Sequence, residues 1–155
     1  MVVGHRRVTI IDDSYNANPG SMEAALRRLG DLQGRGRVAV LGEMLELGPE
    51  AAAYHTALAP LIEACGIRQV HTVGNLYEEF RTRVGRQRHG LHVAQAEMLE
   101  PGLLAMLQDG DVVLLKGSHG SLIHRIAAQL RQLSREQASA ERIDPPVRPA
   151  KAAAR

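Results

Sequence analysis

Three short segments of this sequence carry side chains suited to chemistry. Asp12-Asp13-Ser14-Tyr15-Asn16-Ala17-Asn18 sets two carboxylates, a phenol and two amides almost in a row. Neighbouring carboxylates of this kind suit acid/base work, a metal ion or the hydroxyls of a ribose. Lys116-Gly117-Ser118-His119-Gly120 joins a cation and a hydroxyl to two glycines. Where a strand gives way to a helix, that composition favours an anion, because free N–H groups and the helix dipole both attract negative charge. The spacing of a Walker A loop is absent there. Gly42-Glu43-Met44-Leu45-Glu46-Leu47-Gly48, followed by His55, sets a carboxylate and apolar side chains between glycines that permit unusual backbone angles.

These segments need elements to position them, and apolar runs precede each one. Strands are predicted over residues 8–11, 37–41, 69–73, 91–94 and 111–115. Asn18 is a natural N-cap and Pro19 suits the first helical position, with Met22, Ala25, Leu26 and Leu29 following at helical spacing. Further helices are expected over 51–64, 76–80, 96–107 and 121–133, and residues 1–4 suggest a short edge strand turning at Gly4-His5. Strands alternating with helices over short connections imply an α/β fold, a Rossmann-like doubly wound and mostly parallel sheet. All three chemical segments then lie at carboxyl ends of strands, where such sheets bind ligands. Along a strand only one of Asp12 and Asp13 can face a given side, so the other has a structural role.

The 155 residues, 45% hydrophobic, suit one domain with a core, taken as residues 1–133, followed over 134–155 by the end of a helix and a disordered Pro/Ala/Arg tail. A net charge of +2, dispersed arginines and 3% aromatic residues argue against nucleic-acid binding. The single Cys65 excludes an internal disulfide, and no apolar run reaches membrane-spanning length, so a cytoplasmic protein without membrane insertion is expected. His71, His89, His92 and His124 form no metal-ligand spacing with Cys65 or with one another. Tyr54 and Tyr77 are expected to pack rather than react.

The run from Asp12 to Pro19 resembles the start of the C-terminal domain of the Mur ligases of bacterial cell-wall synthesis, those of the MurF type in particular. Two more blocks match in the same order, Val40 to Gly48 followed by His55, and Leu114-Leu115-Lys116-Gly117-Ser118. The likeness covers residues 4–133. It implies an ATP-dependent ligase in which the carboxylate of UDP-N-acetylmuramoyl-tripeptide is phosphorylated and the amine of D-alanyl-D-alanine attacks the acyl phosphate. It also implies that Asp13 approaches the nucleotide ribose, and that Tyr15, Asn16 and Asn18 line the adjoining nucleotide and phosphate region.

By the same resemblance, Glu43, Met44, Leu45 and His55 face the cleft between domains and bind substrate. Lys116 and Ser118 take a catalytic place near the dipeptide carboxylate or the acyl phosphate. His119 stands where family members commonly carry arginine. ATP and Mg2+ serve the complete enzyme, the metal held mainly outside this domain. The implied partners are the central ATP-binding and N-terminal UDP-binding domains of the same ligase, without which this chain, lacking a P-loop, is expected to be inactive. A stand-alone α/β nucleotide- or ligand-binding module is the alternative. An oxidoreductase is disfavoured, since neither Gly4 nor Gly42 begins a Gly-x-Gly-x-x-Gly turn.

Overall fold

The computed structural model of the chain describes residues 1–143. Two short strands, β1 (Val2–Val3) and β2 (Arg6–Arg7), form an antiparallel hairpin. The main sheet holds β3 (Thr9–Asp13), β4 (Gly36–Gly42), β5 (Gln69–Val73), β6 (His89–Val93) and β7 (Asp111–Lys116). All five run parallel in the order β3-β7-β4-β5-β6. The helices are α1 (Pro19–Asp31), α2 (Ala51–Thr56), α3 (Ala59–Ala64), α4 (Glu78–Arg83), α5 (Glu100–Met106) and α6 (Ile123–Ile143).

The chain steps from β3 through β6 in one direction and returns to β7 in the other. Right-handed crossovers therefore send the outgoing and returning helices to opposite faces. Met22, Leu26 and Leu29 of α1, Ile62 of α3 and Phe80 of α4 pack on Ala39, Leu41 and Leu114. Leu103 of α5 and Ile123, Ile126 and Leu130 of α6 cover Val38, Val40, Val113 and Leu115 on the other side. Burial of both faces explains why β4 and β7 read as unbroken apolar runs. Each such side chain, fully buried, contributes about 1.5–3 kcal/mol.

Several boundaries differ from the sequence expectation. The helix predicted over 51–64 is two helices, because Pro60 lies in the first turn of α3 and lacks the N–H that a continuous helix would need. Residues 96–107 divide likewise into a 3-10 turn, Ala96–Met98, and α5 with Pro101 in its first turn. The last helix starts late, after a 3-10 turn at His119–Ser121 and a left-handed Leu122 at φ 61°. It also runs on to Ile143, since Ala, Arg, Glu and Gln sustain a helix where the apolar stripe has ended. The expected edge strand at 1–4 pairs instead with Arg6–Arg7 apart from the main sheet, its hydrogen bonds used locally by the turn at Gly4-His5. The expected tail at 144–155 lies outside the described residues.

Candidate functional site

Strand order makes neighbours of β3, β7 and β4, so the three loops that leave their carboxyl ends meet. Parallel register sets Asp13 opposite Lys116. The Lys116 ammonium donates to Asp13 Oδ2 at 2.8 Å and to the Asn16 carbonyl at 3.0 Å. Lys116 is 1% exposed, whereas the Asp13 side chain is 51% exposed. A buried cation requires such acceptors; a half-solvated carboxylate keeps an oxygen for another donor. Asp12 points the other way, taking the Ser14 hydroxyl and the Arg131 guanidinium of α6. Burial pushes the Asp12 carboxyl up, but these donors outweigh it and hold the group below the usual carboxylate range.

The amide oxygens of this junction serve the backbone. Asn18 Oδ1 accepts the Ser21 N–H at 2.8 Å while Ser21 Oγ accepts the Asn18 N–H at 3.1 Å, a reciprocal cap on α1. Asn16 Oδ1 accepts the Ala17 N–H at 2.8 Å. Tyr15 is 81% exposed, its ring 5.7 Å from that of His119, which in turn stacks on His124 at 4.4 Å.

The segment that leaves β4 is held residue by residue. Tyr77 donates its hydroxyl hydrogen to the Gly42 carbonyl at 3.0 Å, and the Ser118 N–H reaches the Glu43 carbonyl at 3.0 Å. Met44 N–H is accepted by His55 Nε2 at 2.9 Å, and Leu45 N–H by Ser118 Oγ at 2.9 Å. His55 Nδ1 stands 2.7 Å from the Ala51 carbonyl, which fixes the neutral tautomer with its hydrogen on Nδ1. Burial lowers the His55 pKa, only partly offset by the Ala51 carbonyl and the charge of Glu43. A Cβ at position 117 would lie 2.9 Å from Gly42 Cα, so glycine is what lets the two loops touch.

Beside this segment a hollow of about 300 Å³ opens at the carboxyl ends of β4, β5 and β6, with Glu43, Gln95, Glu97 and Ser121 among its lining. Neither Lys116 nor Ser118 lines it.

Residues 1–119 match a family described as Mur ligase, glutamate ligase domain. The chain belongs to that family. Among relatives of this Mur ligase domain is the UDP-N-acetylmuramoyl-tripeptide--D-alanyl-D-alanine ligase of Escherichia coli (strain K12), 35% identical over 125 residues. That match takes in 79% of this chain and 27% of the relative. The ligase of the same name from Treponema pallidum (strain Nichols) is 36% identical over 128 residues, 81% of this chain and 28% of that protein. The chain thus spans little more than a quarter of those relatives. A crystal structure of the MurF ligase of Thermotoga maritima in complex with ADP superposes with a TM-score of 0.67 at 26% identity, covering 86% of this chain and 31% of that one.

Within this Mur ligase domain the expected site residues separate. Asp13, Tyr15, Asn16 and Asn18 share one exposed junction, Glu43 lines the hollow, and Leu45 is 40% exposed. Met44 and His55, expected at the cleft, are both 0% exposed, Met44 in the core and His55 with each ring nitrogen engaged. Lys116 and Ser118, expected beside reacting groups, are turned inward as ties between loops. His119 is exposed and lies against Tyr15. Sequence reasoning missed the hydrogen-bonding role of Tyr77, expected only to pack, and that of Arg131, a helical residue far from Asp12 in sequence.

Proposed function

We propose that this chain, through residues 1–133, serves as the C-terminal domain of a cytoplasmic ATP-dependent ligase that joins D-alanyl-D-alanine to UDP-N-acetylmuramoyl-tripeptide in peptidoglycan synthesis. The observation that carries the reading is the Asp13–Tyr15 junction at the end of β3, in a domain similar to that of a ligase solved with ADP. The residues present fit a nucleotide. One Asp13 oxygen is left by Lys116 to accept ribose hydroxyls, Tyr15 offers an exposed ring, and Asn16 and Asn18 add exposed amides. Central and N-terminal domains supply the phosphate-binding loop, Mg2+ and the UDP site, and closure of this domain over them brings the acceptor amine to the acyl phosphate.

Joining the N-terminal and central domains of the Escherichia coli relative to this chain should give a ligase that consumes ATP and forms the UDP-linked pentapeptide. The 155-residue chain alone should form none. Product from the chain alone, or none from the joined enzyme when it is folded and monodisperse, counts against the reading.

A further inference from the structure

At the end of the sheet opposite Asp13 and Lys116, a second hollow of about 620 Å³ lies beneath the amino ends of β4, β5 and β7. Arg6, Arg35 and Arg68 line it with Gln69 and Gln108, and Asp109 is the one carboxylate among the described residues of its wall. Two of the guanidiniums are fixed from behind. Arg68 Nη2 donates to Asp111 Oδ2 at 2.7 Å, and that carboxylate, 0% exposed, is itself held by the Gln108 N–H at 2.7 Å. Gly36 makes room for the pair, since a Cβ there would lie 2.5 Å from Asp111 Oδ1 and 2.6 Å from Arg68 Nε. Arg6 Nη1 donates to the Leu104 carbonyl at 3.1 Å.

These ties leave donors over. Arg68 Nη1 and Arg6 Nη2 reach no acceptor among the described residues, and the Arg35 guanidinium has no partner among them, although its backbone N–H is held by the Gly110 carbonyl at 3.0 Å. Asp109 Oδ1 is engaged by the Arg7 N–H at 2.7 Å. Set against Asp109 and Asp111, the three guanidiniums keep one positive charge in excess. Spare donors with excess charge call for an anion, and phosphate, with oxygens at several corners, can serve three planar forks at once. Gln69 Oε1, buried and without a partner among the described residues, can accept a hydroxyl beside it. Ala105, Met106 and Leu107 give the hollow an apolar border. Its volume lies within the range of small-molecule sites.

We propose that this hollow binds a small phosphorylated, hydroxyl-bearing metabolite, its phosphate held by Arg6, Arg35 and Arg68. The site lies across the sheet from the Asp13–Tyr15 junction and does not depend on the ligase reading.

Titration of the 155-residue chain followed by 1H–15N NMR tests the proposal with glycerol 3-phosphate, sodium chloride at matched ionic strength, and vesicles of phosphatidylglycerol. Glycerol 3-phosphate should give saturable shifts at the amides of Arg35, Gln69, Gln108 and Asp109. Arg35→Gln, which cuts no tie to the fold, should weaken binding about tenfold, as expected for loss of a charge-assisted hydrogen bond. Asp109→Asn keeps an acceptor for the Arg7 N–H and removes the opposing charge, so it should tighten binding. Arg68 is left intact, because its loss would strand the buried Asp111. The same shifts with chloride, no saturation by about 10 mM, unchanged affinity in Arg35→Gln, no tightening in Asp109→Asn, or a response to vesicles without one to glycerol 3-phosphate would each overturn the assignment. Shifts confined to the Asp13–Tyr15 junction would also overturn it. ADP binding is read from those separate amides, so loss of this site leaves the ligase reading standing.

Discussion

Lys116 and Asp13 are unequal partners, one enclosed by the sheet and the other half in water. Asp13→Ala should cost about 1–3 kcal/mol, because it leaves an ammonium inside with only the Asn16 carbonyl. Lys116→Met should cost less, below about 1 kcal/mol, since water can solvate the released carboxylate and an apolar stem fills the same space. Urea midpoints of the two variants measure the difference, and equal losses would contradict the asymmetry. In the joined ligase a defect of an Asp13 variant must be compared with its stability before it is ascribed to the ribose. Both residues were visible in the sequence as chemically apt, yet were assigned to opposite substrates. Nothing local in either segment reveals that β7 lies against β3, and the register that makes them a pair is a property of the sheet.

At the scale of elements, the segment from Gly42 to Leu45 takes its shape from side chains on three other parts of the chain. Tyr77→Phe removes one hydroxyl and leaves the ring in its edge-on contact with His55, whose centroid is 4.7 Å away. The expected loss is about 1 kcal/mol or somewhat more, since a buried carbonyl is left without its donor, read as a lower melting temperature with faster amide exchange at Met44 and Leu45. Unchanged exchange would place the Tyr77 hydroxyl outside the support of this loop. The sequence showed the loop, its glycines and its carboxylate, and placed it correctly after the second long strand. It did not show that His55 faces inward. Helical periodicity locates a face, but the break before Pro60 turns α2 independently of α3, so the face of one predicted helix could not be carried across both.

For the molecule as a whole, two buried neutral histidines set a limit on the acid side. His71 accepts the Leu91 N–H at 3.0 Å, where the β5–β6 register shifts, and burial, with Arg68 adding to it, lowers its pKa from 6.5 to about 4. The unfolded chain binds that proton first, so stability is complete above pH 6.5 and is lost as pH falls toward 4, by about 3 kcal/mol in all. The lowered pKa of His55 acts in the same direction. Urea unfolding at pH 7 and pH 4.5 should show this fall, and His71→Gln, which can still accept from Leu91, should reduce it. An equally steep fall in the variant would assign the effect to other groups. The fold class was readable because alternation of apolar strands and amphipathic helices is a local signal. Strand order was not, since no local feature of residues 111–116 marks them for the place between β3 and β4.

That place has a consequence for synthesis. Until residue 116 has left the ribosome, β3 has no neighbour and β4 shows an open edge, because the strand that joins them is the last of the five to be made. Val112 pairs with Thr9 across nearly the whole domain, a closure that comes late and slowly compared with the contacts inside the β4–β5–β6 half. A nascent chain stopped before β7 should therefore leave unpaired the edges of β3 and β4 that β7 joins and depend on chaperones until β7 is released and closes the sheet.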